Sequence, residues 1–227
     1  MGVKLGSVYD AWYRARGWRR ELQRLSLPRR EVLRLLEPLP RGRLLEVGCC
    51  AGCLLEAMAG MGFEVVGADI AESAVARCRE KGLVAEQVDV EEGINLGRFD
   101  IVVSNDVIEH LFDPWRFVAE CNRSLVMGGV LILSTPNFGY WRDVPGYIWG
   151  KSPSEVQSRE HIRYFSARSL RRVVGQQGFE IERLYGAGRF RWLPDWISRR
   201  WVGTLMVVAR KAGPPTWQTL AKREGWS

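Results

Sequence analysis

The sequence predicts an α/β fold, a parallel sheet with helices packed on both faces. Three observations predict it. From residue 43 onward, short runs rich in Val, Leu and Ile alternate with helix-length segments. A glycine-containing turn, Gly48-Cys49-Cys50-Ala51-Gly52, directly follows the first of those runs. The chain has 227 residues, 46% apolar and 26% charged, which fits one domain with its own core. That composition excludes disorder, collagen and coiled coil. Apolar stretches such as Val130-Leu131-Ile132-Leu133 are too short to span a bilayer.

The elements follow in order. Residues 8–36 read as helical, with Leu22, Leu25, Val32, Leu33 and Leu36 among many arginines, and Pro28 breaks this region in two. Pro38 and Pro40 mark a linker, so 1–40 is a basic N-terminal helical segment and 41–211 the main domain. Strands are predicted over 43–47, 64–69, 83–90, 99–104 and 129–134, with helices over 54–61 and 72–81 between them. Asp113-Pro114 supplies a cap and a first-turn proline for a further helix. Residues 136–166 interrupt the alternation and hold seven aromatics, about twice the chain average of 11%. An insertion of this length is functional or disordered, and its aromatic load argues against disorder. Ser166 opens a helix over 167–177, and late strands at 179–185 and 204–209 bring the total to seven. Residues 212–227, around Pro214-Pro215, read as a mobile tail.

The net charge of +7 is uneven: residues 1–43 carry +7, 187–227 carry +6 and 44–186 carry −6. An acidic body with basic ends suits solvated arginine faces first, and a polyanionic or membrane-surface partner second. Five cysteines, Cys49, Cys50, Cys53, Cys78 and Cys121, form no regular framework, so reduced thiols and a cytoplasmic location are expected. The N-terminal twenty residues lack an apolar h-region, and no secretory signal is expected.

Small residues in a strand-to-helix turn let the backbone approach a ligand, and the next helix offers free N–H groups. Asp69 ends the second strand, 21 residues after Gly48, where a carboxylate accepts both hydroxyls of a ribose. Together these features point to an adenosyl or dinucleotide ligand. A pyrophosphate-binding GxGxxG reads Gly48, Cys50, Cys53 here and lacks two of its glycines; a P-loop is absent. Glu46, two residues before Gly48, suits a cofactor with a cationic group.

At these residues the chain resembles the class I S-adenosylmethionine-dependent methyltransferases. The family's first motif is an acidic residue followed by glycines at alternate positions. Glu46, Gly48, Cys50 and Gly52 match it, with Cys50 in place of the middle glycine. Asp69 falls at the ribose position, Asp89 near the adenine edge, and residues 99–105 in the fourth-strand motif. The stretches 106–114, with Asp106, Glu109 and His110, and 161–166, opening on His161, are similar to those of ubiquinone-biosynthesis O-methyltransferases and MetW-like methyltransferases. The resemblance implies a three-layer Rossmann-like sandwich, a mostly parallel seven-stranded sheet with an antiparallel C-terminal strand. It implies a methyltransferase domain over 41–211 with an aromatic lid at 136–166. S-adenosylmethionine would be the cofactor, and S-adenosylhomocysteine the product. Cofactor-binding residues would be Glu46, Gly48, Cys49, Cys50, Gly52, Asp69, Ile70, Asp89, Val90 and Asn105.

Methyl transfer from a sulfonium needs alignment of nucleophile, carbon and sulfur, and a hydroxyl acceptor must also lose its proton. The chain's two histidines, His110 and His161, are the catalytic candidates, with His161 as general base. Asp106, Glu109 and His110 are spaced three and four apart. Asp106 and His110 shaping the cofactor loop, with Glu109 capping or pairing locally, ranks first; His161 as base ranks second, and a divalent-metal site of these three with His161 third, so no metal ligand is assigned. Cys50-Ala51-Gly52-Cys53 is a CxxC at a helix start, where a thiolate is stabilised, but tolerated variation ranks ahead of a redox role. Ser104-Asn105-Asp106-Val107 stands where nucleobase amine methyltransferases carry Asn/Asp-Pro-Pro-Tyr/Phe, so that chemistry is not expected. Tyr9, Trp12 and Tyr13 are placed to close the cofactor site, and the aromatics of 136–166 to cover an acceptor pocket. The expected function is methyl transfer to a small molecule, with a hydroxyl oxygen as acceptor. The alternatives are an RNA methyltransferase using the basic ends and a non-catalytic binding protein with a degenerate cofactor loop.

Overall fold

The computed structural model describes residues 5–15, 25–158, 160–187 and 193–215. The strands are β1 (Arg43–Val47), β2 (Glu64–Asp69), β3 (Ala85–Gln87), β4 (Phe99–Asn105), β5 (Leu125–Pro136), β6 (Phe179–Gly186) and β7 (Thr204–Lys211). The helices are α1 (Leu5–Ala15), α2 (Leu27–Leu36), α3 (Cys53–Gly60), α4 (Glu72–Glu80), α5 (Pro114–Ser124), α6 (Val144–Ile148), α7 (Pro153–Val156), α8 (Ala167–Gly175) and α9 (Asp195–Trp201). The strands form one sheet in the order β3-β2-β1-β4-β5-β7-β6. Pairs from β3 to β5 are parallel, and β7 runs antiparallel between β5 and β6. The predicted sandwich with an antiparallel C-terminal strand is the observed architecture.

Strand alternation builds the two outer layers. Leu45 and Val47 of β1 join a core with Phe117 and Val118 of α5 and Leu170 and Val174 of α8. Leu44 points the other way, into a core with Val32 and Leu36 of α2, Leu54 and Met58 of α3, and Val75 of α4. Pro28 lies in the first turn of α2, where its missing N–H costs nothing. Asp113 caps α5 by accepting the Arg116 N–H at 3.0 Å, and Ser166 caps α8.

The structure departs from the sequence reading in four respects. The third strand spans Ala85–Gln87 instead of 83–90, because it is an edge strand paired on one side and the chain turns at Asp89. The fifth begins at Leu125, ahead of a bulge opposite Phe99 and Ile101. Helices α6, α7 and α9 lie where no element was predicted. Residues 212 and 213 of the predicted tail are tied down, with the N–H groups of Ala212 and Gly213 on the Gly178 carbonyl. Residues 16–24, including Leu22 of the predicted helical run, and 216–227 of the tail lie outside the described residues. Among the described residues no helix is long and apolar enough to cross a membrane.

Candidate active site

Strand β1 has β2 on one side and β4 on the other, which opens a crevice at their carboxyl ends. The turn 48–52 lies there. Gly48 and Gly52 have φ of +77° and +74°, the left-handed region glycine enters freely. A Cβ on Gly48 would stand 2.4 Å from Cγ2 of Val107. The N–H groups of Gly48 and Cys49 donate to the Ala68 carbonyl at 2.8 and 3.1 Å, tying the turn to β2.

Cys50 also has positive φ, +49°, so the backbone keeps the glycine conformation of the motif despite a side chain. That conformation costs a non-glycine residue about 1–2 kcal/mol. Tyr13 Oη donates to Cys50 Sγ at 3.1 Å. Burial pushes the Cys50 thiol up to about 12, so it is uncharged. Relief of backbone strain in Cys50→Gly offsets the lost Tyr13 contact and the added chain entropy. Denaturation curves should place that variant within about 1 kcal/mol of the parent, and Cys50→Val about 2 kcal/mol below it.

Asp69, 6% exposed, accepts the Cys50 N–H on Oδ2 at 2.9 Å and the Ala71 N–H on Oδ1 at 3.0 Å. Burial raises its carboxyl above the ordinary range, while these N–H groups pull against it. Each oxygen retains a lone pair for a further donor. Glu46 is buried, with Oε2 without a hydrogen-bond partner. Burial lifts it well above the usual carboxyl range, and the charge of Arg29 opposes this. The charge of Arg29 acts in the same way on Cys50 and Asp106.

Helix α1 closes the crevice from one side. Tyr13 is buried against Ala71 and Ala74, with Tyr9, Trp12 and Cys50 packed on that cluster. Asp10 Oδ1 accepts the Ser73 N–H at 2.9 Å, docking α1 on α4. Trp12 Nε1 donates to Glu160 Oε1 at 2.7 Å, joining α1 to the aromatic segment. Ile70 is half-buried beneath α1, its carbonyl 2.8 Å from where a Cβ on Gly6 would stand. Asp89 is half-buried and accepts the Glu91 N–H on Oδ1 at 3.0 Å. The Val90 side chain sits in the core, which leaves its main chain to meet a ligand.

After β4 the chain passes Asp106, at φ +56°, into a 3₁₀ turn over Ile108–His110. Cys50 and Asp106 are the positive-φ non-glycine residues among those described, and they follow β1 and β4, the two strands that flank the crevice. Strain held at such points marks functional sites. Asn105 is nearly buried; its Nδ2 donates to Asp106 Oδ2 at 3.0 Å, and Ser134 Oγ donates to its Oδ1 at 2.8 Å. Glu109, 1% exposed, accepts the Thr135 hydroxyl on Oε2 at 3.0 Å, while Oε1 has no hydrogen-bond partner and lies 4.0 Å from His110 Nε2. Burial first, and the Asp106 charge second, raise Glu109 well above the ordinary range.

The Glu109 carbonyl accepts the N–H groups of Ile162 and Arg163, both at 3.0 Å, and this pins His161 beside His110. The two imidazoles lie 5.0 Å apart at 78°. His110 Nδ1 is 3.1 Å from the Glu160 carbonyl, and His161 Nδ1 is buried without a partner. Burial lowers His110; burial and then the charge of His110 push His161 down to about 4. Both rings are therefore neutral at pH 7. One atom each from Glu109, His110 and His161 lie within 4.8 Å of one another, and Asp106 stands outside that group. Nearby, Tyr164 Oη donates to the His161 carbonyl at 2.9 Å, and Phe138 lies 5.3 Å from Tyr147 and 6.2 Å from Tyr164. The other aromatics of 136–166 divide: Trp141 contacts Trp201 of α9, Phe165 is buried, and Trp149 is 79% exposed.

A family model described as a methyltransferase domain matches residues 12–184. The chain belongs to the class I S-adenosylmethionine-dependent methyltransferases. It is 31% identical over 164 residues to the ubiquinone biosynthesis O-methyltransferase of Thiobacillus denitrificans, covering 66% of this chain and 69% of that protein. The protein of the same name from a Caulobacter species is 32% identical over 158 residues, 60% of this methyltransferase and 62% of the relative. The chain spans 54–69% of the length of such curated relatives. Among solved structures, magnesium protoporphyrin IX methyltransferase from Synechocystis, with bound S-adenosylhomocysteine, superposes with a TM-score of 0.67 at 19% identity. The match covers 90% of this chain and 99% of that one, a likeness of fold.

The residues of this methyltransferase fit the cofactor. Glu46 Oε2 is a buried oxygen in want of a donor, Asp69 has free lone pairs at the end of β2, and the turn at 48–52 is held open by left-handed glycines. Arg29, Glu160, Thr135 and Ser134 were not singled out by sequence. Trp12 and Glu160 are 148 residues apart, and no local pattern encodes such a contact.

Proposed function

We propose that this methyltransferase transfers a methyl group to the hydroxyl oxygen of a small, flat acceptor. The observation that carries the reading is the neutral pair His110 and His161, brought together at the carboxyl end of β4 beside Phe138, Tyr147 and Tyr164. The names of the Thiobacillus and Caulobacter relatives also favour an oxygen acceptor.

S-adenosylmethionine supplies the methyl group on a sulfonium. Asp69 would hold its ribose hydroxyls, and Glu46, through Oε2, its ammonium. The charge of Arg29 reaches the same pocket. The neutral His161 ring takes the acceptor's hydroxyl proton, which raises the nucleophilicity of the oxygen. The Glu109 carboxyl, in the same group of atoms, stabilises the imidazolium that forms. The rings of Phe138 and Tyr164 stack on a flat acceptor and keep water away from it.

Glu109 Oε1 and His161 Nδ1, both buried without a hydrogen-bond partner, favour a second reading. In it Glu109, His110 and His161 hold a divalent cation, which would supply Lewis acidity at the acceptor oxygen. Turnover that a chelator does not change removes this reading.

The test is transfer of labelled methyl to a phenol compared with the aryl amine of the same shape. Label on the phenol oxygen is expected, and label confined to the amine contradicts the reading. His161 is active while neutral, so activity is lost only as pH falls through about 4. An unperturbed imidazole would lose it near 6.5. The pH–rate profile should stay flat on its acid side down to about pH 5.

A further inference from the structure

The sequence marks Cys50 and Cys53 as a CxxC, but the structure brings different sulfurs together. Cys49 Sγ, in the cofactor turn, lies 3.7 Å from Cys78 Sγ on α4. Both side chains are buried. Two glycines make room for them: a Cβ on Gly52 would stand 2.9 Å from Cys78 Sγ, and one on Gly67 2.9 Å from Cys49 Sγ. The Cys78 thiol also donates to the Cys50 carbonyl at 3.4 Å. A dithiol is thus built into the underside of the turn that grips the cofactor.

We propose that Cys49 and Cys78 are a reversible oxidation site, converted by a hydroperoxide into a disulfide that loosens the cofactor turn and weakens cofactor binding.

The chemistry balances with hydrogen peroxide as oxidant. The Cys78 thiolate attacks one peroxide oxygen; the O–O bond breaks, a sulfenic S–OH forms, and the released hydroxide takes a proton and leaves as water. The Cys49 sulfur then attacks the Cys78 sulfur. The S–S bond forms, the S–O bond breaks, and the hydroxide leaves with the Cys49 proton as a second water. The two thiols give up two electrons, and one peroxide accepts them. The contact with the Cys49 sulfur draws the Cys78 thiol below its ordinary value, against the effect of burial. The thiolate is the form that attacks peroxide.

The structural consequence follows from geometry. A disulfide needs its sulfurs at about 2.05 Å, so the pair must close from 3.7 Å and draw Cys49 toward α4. Oxidation also removes the S–H that Cys78 donates to the Cys50 carbonyl. The N–H of Cys50 is on Asp69, so a shift of this residue disturbs the carboxylate assigned to the ribose. Bound cofactor braces the turn and should slow the reaction.

The test treats the whole protein with a few equivalents of hydrogen peroxide, with and without S-adenosylhomocysteine, followed by thiol alkylation, peptide mapping and calorimetric titration of S-adenosylhomocysteine. Neither readout uses an acceptor, so the outcome is independent of the acceptor proposed above. The expected result is a Cys49–Cys78 cross-linked peptide and an affinity reduced roughly tenfold or more. A dithiol reductant should restore it, and prior S-adenosylhomocysteine should delay the cross-link. In Cys78→Ala and Cys78→Ser the affinity ratio between treated and untreated protein should stay near one. A cross-link between Cys50 and Cys53, no cross-link while other cysteines oxidise, or a cross-linked protein that binds as the reduced one does would each overturn the proposal.

Discussion

Replacing His161 by alanine is expected to lower kcat about 10²- to 10⁴-fold and to leave the affinity for S-adenosylhomocysteine within about twofold. The loss corresponds to about 3–5 kcal/mol of transition-state stabilisation. In the proposed mechanism it falls on kcat because His161 takes the acceptor proton, while the cofactor turn is built from β1, α3 and β2, which the ring does not support. Its place is set by the N–H groups of Ile162 and Arg163 on the Glu109 carbonyl, and those bonds survive the substitution. Added imidazole should recover part of the rate. Single-turnover kinetics beside calorimetry separate the two effects, and undiminished turnover would remove the base role.

Replacing Asp69 by alanine is expected to weaken S-adenosylmethionine binding about 100-fold and to cost about 2–4 kcal/mol of stability. The carboxylate holds two backbone donors, the N–H groups of Cys50 and Ala71, in a site 6% exposed. Its loss leaves both donors buried and unpaired. Each such group costs about 1–3 kcal/mol. The proposed ribose contact is lost as well. Asp69→Asn keeps one oxygen and should fall between the two proteins in both titration and denaturation. An Asp69→Ala protein that binds cofactor as the parent does would remove Asp69 from the site.

Much of the fold was legible because its strands carry β-branched runs bounded by turn residues. Strands β1 and β2 end where the residues say, at Val47 and Asp69. The edge strand β3 was overextended, since the alternation of 83–90 is that of a strand while the ladder with β2 pairs only Ala85–Gln87. Helix α9 was missed because Trp196, Arg199, Arg200 and Trp201 show no apolar stripe; it packs on β6 partly through Ser198, whose Oγ accepts the Gly186 N–H at 3.0 Å.

The site was legible where a motif is local, as at Glu46, Gly48, Gly52 and Asp69. The two histidines stood out by their scarcity and their place, His110 after the fourth strand and His161 after the aromatic insertion. Asn105 was expected at the cofactor, and it is engaged by Ser134 and Asp106. Arg29 and Glu160 escaped notice because their roles depend on tertiary contacts. The same holds for Cys49 and Cys78, which are 29 residues apart yet in contact, while the adjacent CxxC drew the eye.

The most direct measurement is calorimetric titration of S-adenosylmethionine into the parent protein and into Gly48→Val. The parent should bind one equivalent, displaced by S-adenosylhomocysteine. Gly48→Val should show no heat, because a branched side chain at φ +77° meets Val107 and blocks the turn. A parent protein without binding, or a folded Gly48→Val that binds equally well, would contradict the assignment of this turn as the cofactor site.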